Sequence, residues 1–289
     1  MVPPATLAPQ EARRIVDEVD IPPCPAVLTA VLKEMRREEP DFPAMGTRIA
    51  SDLGLSAALL KTVNSPFYGL GRKVTSVQQA IAYLGVNAAV RLVTGLLLQQ
   101  VFPVYRNPVI TRLWTESSRF AAGMARLARE FDAVDVDEAY TFGLFRDCGM
   151  LLMARRHPGY EKLLGPESVA HDAALLRAES SHYVVDHATV GYYMAESWYL
   201  PASLATAVQN HHDIAFVLNR KDEIQREARV LVALGTLVER AAPGTEPPAD
   251  GHLRDPLLVV ALACLGAQAR QLPELLASVR EARDAQDEE

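Results

Sequence analysis

Six residues carry a charge or a ring nitrogen into stretches that are otherwise apolar: Glu116, Arg146, Asp147, His187, His211 and His212. Carboxylates and imidazoles move protons near neutral pH and grip transition metals, so any chemistry would have to sit here. The Arg146–Asp147 pair breaks the apolar run Thr141–Met153, TFGLFRDCGMLLM. Leu144, Asp147, Cys148 and Leu151 follow the i, i+3, i+4, i+7 spacing of one helical face, which turns the aspartate inward. Burying it is costly unless it is hydrogen-bonded or paired. Arg146 cannot help it hold a metal, because a guanidinium is permanently charged and has no lone pair to give. Glu116 shares a face with Phe120, Gly123 and Leu127, and His187 with Val190, Gly191, Met194 and Trp198. His211 follows Leu204, Ala207 and Val208 inward, leaving His212 turned about 100° away. Histidines in such settings are more often hydrogen-bonded core residues than ligands, so the reading assigns no catalytic residue, no metal and no cofactor. Asp147, His187 and one C-terminal histidine would still suffice for a catalytic zinc, but Arg146 beside them would repel the ion.

The elements that must position these residues read as helices throughout. Strand signals are almost absent, and period-3.6 apolar patterns recur between prolines and glycines. A short polar helix is expected over 9–19, then helices over 26–38, 41–52, 56–63, a Ser76–Gln79 capping box leading to Gly85, and 86–101. Beyond the histidines, helices are expected over 222–242, 257–267 and 273–282, with a proline-rich loop at 243–255 and an acidic end. The chain has 289 residues, 49% of them hydrophobic and 22% charged, in the range of an ordinary globular protein. A net charge of −7 argues against general nucleic-acid binding. The three cysteines, Cys24, Cys148 and Cys264, form no disulfide framework, which points to a reducing cytoplasm. No apolar run approaches the ~20 residues of a membrane span, and the N-terminus has no signal-peptide core.

Seven segments carry a family resemblance: IPPCPAV, SDLGLSAALLKTVNSPFYG and VTSVQQAIAYLG, then LWTESSRFAAGMARLA, DEAYTFGLFRDCGMLL, DHATVGYYMAESWYLP and AVQNHH. In this order and spacing the chain resembles the HDOD domain, a relative of the HD metal-dependent phosphohydrolases found in bacterial signalling proteins. The resemblance covers an HDOD domain over 21–213; apolar patterning adds an N-terminal lead helix within 1–20 and a C-terminal helical extension over 214–289 expected to pack on the same domain. The fold class is all-α, an N-terminal helical bundle joined to an HD-like helical core.

The resemblance also gives the six residues their roles. In HD enzymes a histidine would stand at the Glu116 position and another at Arg146, with Asp147 completing the His-Asp dipeptide. Both departures bring charge, of opposite sign, which suggests a Glu116–Arg146 ion pair filling the space of the metal. HDOD modules generally lack the complete metal set, so the leading expectation is a non-catalytic regulatory module. It would bind a signalling protein or a small ligand, a cyclic dinucleotide among them, through a degenerate cleft lined by Glu116, Arg146, Asp147, His187, His211 and His212. A homodimer is left open. The alternatives are a divergent metal-dependent phosphohydrolase acting on a nucleotide or cyclic dinucleotide, and a nucleotide sensor that pairs a phosphate with Arg146.

Overall fold

Short acidic and hydroxyl side chains start the N-terminal helices by taking up backbone N–H groups that have no partner within the helix. In the computed structural model, Asp41 accepts from the Ala44 N–H at 2.9 Å and opens α2 (Phe42–Ala50), which follows α1 (Ala26–Met35). Asp52 accepts from the Leu55 N–H at 2.9 Å and opens α3 (Leu53–Val63). The single helix expected up to Asp52 therefore ends at Ala50, because Asp52 serves as the next cap. Ser76 caps α4 (Val77–Leu84), while the Gln79 amide oxygen accepts from the Thr75 N–H at 2.9 Å, so the reciprocal arm lands one residue before the cap. The Asn64 amide grips the Val74 backbone from both sides at 2.8 Å and closes the loop between α3 and α4. The apolar α5 (Val86–Val101) packs against α1, α3 and α4.

The structure describes residues 19–35, 37–64, 68, 70–102, 108–164, 173–183, 185–218, 225–241 and 255–285. Most of the lead helix expected over 9–19 and of the 243–255 loop lies outside them, as do 219–224 and 286–289. Among the described residues there is no strand, and the fold is all-α.

The second half is built on α6 (Pro108–Phe131), against which α7 (Val136–Phe145) packs. The helix α8 (Cys148–Arg156) restarts after a break at Arg146 and Asp147. Asp147 leaves helical geometry at φ −105°, ψ 14°, so the inward face expected to run unbroken from Leu144 to Leu151 is in fact two helices meeting at a corner. Then come α9 (Ala173–His182), α10 (His187–Ser197) and α11 (Ala202–Asn210). A Cβ at Gly149 would overlap the His187 carbonyl oxygen, so only glycine lets α8 and α10 meet this closely. The buried Trp198 at the end of α10 donates its indole N–H to the Pro22 carbonyl at 3.1 Å.

Past α12 (Ile214–Leu218), α13 (Arg226–Arg240) packs on α6 and α11, α14 (Pro256–Leu265) packs on α13, and α15 (Leu272–Asp284) lies along α6. Gly123 makes room on α6, since a Cβ there would press on Val238 and Val279 at about 3 Å. No single helix among the described residues is long and apolar enough to cross a membrane.

Candidate functional site

The corner between α7 and α8 holds two buried charged side chains, Arg146 and Asp147. Arg146 is only 1% exposed. Its Nε donates to Asp147 Oδ2 at 3.1 Å, its Nη1 meets Glu239 Oε1 of α13 at 2.9 Å, and its Cζ stacks 3.9 Å from the centre of the Phe120 ring. Two carboxylates and an aromatic face offset the cost of burying this cation. Its Nη2 has no acceptor among the described residues. Burial pushes the Glu239 carboxyl up to about 7, against the pull of the Arg146 guanidinium.

The expected Glu116–Arg146 pair does not form. Glu116 instead meets Arg119 Nη1 at 2.7 Å and Arg283 Nη2 of α15 at 3.1 Å. Arg119 lies one turn further along the same helix, where a side chain three residues away is the natural partner of a partly exposed carboxylate. Arg146 has a nearer counter-ion in Glu239. Each of the two charged departures is thus paired by the 214–289 segment, one with an acid and one with a base. With its Nε and Nη1 on protein carboxylates, and buried, Arg146 is not presented to a phosphate.

The histidines converge more closely than spacing suggested. His187 is the first residue of α10, after the N-cap Asp186, which accepts from the Thr189 N–H at 2.7 Å. Its Nδ1 lies 2.8 Å from Glu179 Oε2, and the same oxygen accepts from the His187 N–H at 3.0 Å. The other Glu179 oxygen takes the Tyr160 hydroxyl. His211 Nδ1 lies 2.6 Å from the Val208 carbonyl. Asp147 Oδ1 is 3.4 Å from His211 Nε2 and 3.8 Å from His187 Nε2. His212 Nε2 is 3.1 Å from His187 Nε2. His212 is not turned away as a continued helix would require, because α11 stops at Asn210 and both following rings fold back to His187.

Charge follows this geometry. Burial works to raise the Glu179 carboxyl and to lower the His187 imidazole, but their mutual contact outweighs both, holding Glu179 below and His187 above the usual values. Burial pushes His211 down despite Asp147, and pushes His212 far down with help from its neighbouring rings. The lowered values favour neutral rings at His211 and His212, while the contact with Glu179 favours the protonated ring at His187. Cys148 beside them is buried with its thiol pushed up, as expected of a small packing residue.

Of the six sequence candidates, Asp147, His187, His211 and His212 come together, with ligand atoms all within 4.8 Å of one another. Arg146 adjoins them through Asp147, and Glu116 stands apart with Arg119 and Arg283. Sequence reasoning missed Glu239, Glu179, Tyr160 and Arg283. Glu239 had a signal: it continues the buried face of Val232 and Gly235 at helical spacing, where a carboxylate needs a partner. Arg283 likewise follows Leu276 and Val279 inward. Glu179 and Tyr160, separated from the site by loops, gave none.

The HDOD domain model matches residues 21–214, and the chain belongs to the HDOD family, a relative of the HD phosphohydrolases. It is 23% identical over 211 residues to an uncharacterized protein of Treponema pallidum (strain Nichols), covering 70% of this chain and 40% of that one. It is 40% identical over 57 residues to the uncharacterized protein YuxH of Bacillus subtilis (strain 168), 20% of this chain and 14% of that one. The chain thus spans less than half the length of the curated relatives it matches. Among solved structures, an HDOD domain protein of unknown function from Geobacter sulfurreducens superposes with a TM-score of 0.70 at 22% identity, over 96% of both chains. A Marinobacter aquaeolei VT8 protein provisionally named a signal transduction protein gives 0.72 at 17%, over 95% of this chain and 60% of that one. A Shewanella amazonensis SB2B protein provisionally named a phosphohydrolase gives 0.66 at 19%, over 94% and 97%. At these identities the likeness is one of fold.

Proposed function

We propose that the chain is a non-catalytic signal-transduction module that binds a partner protein or a small ligand through its degenerate HD-type cleft. The observation that carries this reading is Arg146, at 1% exposure and held between Asp147 and Glu239 where the family resemblance expects a metal-binding histidine. A fixed positive charge at that position removes a ligand from any two-metal hydrolytic centre and ties up one oxygen of the remaining aspartate. The signalling name given to the Marinobacter neighbour is in keeping with this role.

A metal-dependent phosphohydrolase is the second reading, favoured by the cluster of Asp147, His187, His211 and His212. The phosphohydrolase name of the Shewanella neighbour belongs on that side. Incubating the purified chain with nucleoside monophosphates and cyclic dinucleotides, in Mn²⁺, Fe²⁺ or Mg²⁺, separates the two. The module predicts no hydrolysis above background. Turnover that disappears in Asp147→Ala would establish the hydrolase instead.

A further inference from the structure

The seam between the N-terminal bundle and the later core encloses a cavity of about 200 Å³. Its walls are aliphatic, with Leu32 and Met35 from α1, Val90 from α5 and Leu204 from α11. Such a space takes a small organic molecule, since an apolar cavity of about 150 Å³ already takes up benzene. None of Glu116, Arg146, Asp147, His187, His211 and His212 lines it, so it is a second place on the chain.

The polar groups of the lining are mainly acceptors. Thr94 and Thr141 are buried, and their hydroxyls donate to the Val90 and Asp137 carbonyls, each at 2.8 Å. Both oxygens keep lone pairs to accept with. Glu138 takes the Ser203 hydroxyl on Oε1 at 2.7 Å, and its Oε2 has no hydrogen-bond partner among the described residues. Arg91 is the cation of the lining, and its Nη2 is held by Asp135 at 2.8 Å and Asp137 at 3.1 Å. Its Nε lacks an acceptor but is shut off from solvent, so it is no donor to a ligand. The carboxylates of Asp135, Asp137 and Glu138 against one guanidinium leave the place negative. Burial pushes the Glu138 carboxyl up, Glu227 and Asp135 add to this, and the Ser203 hydroxyl and Arg91 oppose it.

Tyr199 completes the lining from a strained backbone. Its φ is 58°, a left-handed conformation at the end of α10 that glycine adopts without cost. The turn is closed by the Tyr199 N–H on the Glu196 carbonyl at 3.0 Å and the Leu200 N–H on the Ala195 carbonyl at 3.1 Å. Tyr199 is 54% exposed, so packing alone does not explain an aromatic residue at this position.

We propose that this cavity binds a small organic cation, an amine on an apolar body, with its N–H groups on Glu138 and the threonine oxygens and its charge beside the Tyr199 ring. The aliphatic walls take the body, and the cation supplies the counter-ion that Glu138 lacks. Walls from α1 and α5 on one side and from α7 and α11 on the other make such a ligand a tie between the two halves. The inference does not rest on the Arg146 cleft, and hydrolysis or its absence leaves it unchanged.

The test titrates the full chain at pH 7 with 2-phenylethylamine, neutral 2-phenylethanol and anionic 3-phenylpropionate, following binding by NMR together with melting temperature. Saturable binding of the amine, tighter than that of the other two, and a rise in melting temperature are expected. Glu138→Gln should stay folded and bind the amine about 10-fold more weakly or worse, the worth of a hydrogen bond to a charged group. Tyr199→Gly relaxes the backbone, so it should stay folded while losing about 2- to 5-fold in affinity, the worth of an exposed cation–π contact. No saturable amine binding would overturn the proposal. Equal or tighter binding of the alcohol or the acid would overturn the cationic class. Unchanged amine affinity in Glu138→Gln would put the ligand elsewhere and overturn the site, and unchanged affinity in Tyr199→Gly would overturn the role given to that ring.

Discussion

The N-terminal bundle and the α6–α11 core bury similar helices in opposite ways. Helices α2, α3 and α4 take their polar contacts at their ends, where Asp41, Asp52 and Ser76 meet free N–H groups near solvent, and their interior is aliphatic. The later core carries its polar groups inside: Arg146, Asp147, Glu179, His187 and His211 are all buried. A capped helix loses one contact when its cap is removed. A buried charge network loses its balance, because each group is the reason its neighbour can be there. The first region should therefore tolerate single changes that the second does not.

The largest difference is expected at Gly149. Replacing it with alanine sets a methyl group against the His187 backbone, which cannot yield as a side chain would. Gly149→Ala should lose about 3 kcal/mol or more, beyond ordinary overpacking, read as collapse of the denaturation midpoint or failure to purify folded protein. Asp52→Ala in the bundle should cost about 1 kcal/mol, the value of one N-cap, with an unchanged denaturant slope. If Asp52→Ala proved as damaging as Gly149→Ala, the contrast between the regions would fail.

A smaller effect separates the regions by pH. Glu138 on α7 is held above the normal carboxyl value by burial, opposed by the Ser203 hydroxyl that donates to it at 2.7 Å. A raised folded-state value means that the native protein holds this proton more tightly than the unfolded chain does. Ionised Glu138 therefore subtracts stability above its folded value, and that loss fades as pH falls toward the ordinary carboxyl range. Glu138→Gln keeps an acceptor for Ser203 and should melt slightly higher than wild type at pH 7, with the gap closing by about pH 4. A gap that widens on acidification would contradict this.

How much of this was legible in the sequence differs between the same two regions. Apolar periodicity and caps are local, and they placed the helices of the bundle with shifts of a few residues, Asp52 being misread because one residue served two helices. The ordered motifs from Ile21 to His212 carried the family. At the site, the family's motifs singled out Asp147, His187, His211 and His212, and the first three also stand on apolar faces. It did not give the partners. Opposite charges at Glu116 and Arg146 suggested that they meet, but the choice was made by α13 and α15, more than 90 residues later, which bring Glu239 and Arg283 alongside. The 100° rule misplaced His212 because it assumes a helix that had already ended at Asn210.

The central claim is that Arg146 and Glu239 stand in for each other's missing partner, and a double-mutant cycle on chelator-stripped protein tests it most directly. Arg146→Met and Glu239→Leu should each cost about 3–5 kcal/mol in chemical denaturation, since each strands a buried charge. The double variant should recover most of that loss, giving a large favourable coupling. Losses that simply add would show two independent side chains, and the account of a rebuilt, charge-balanced cleft would be wrong.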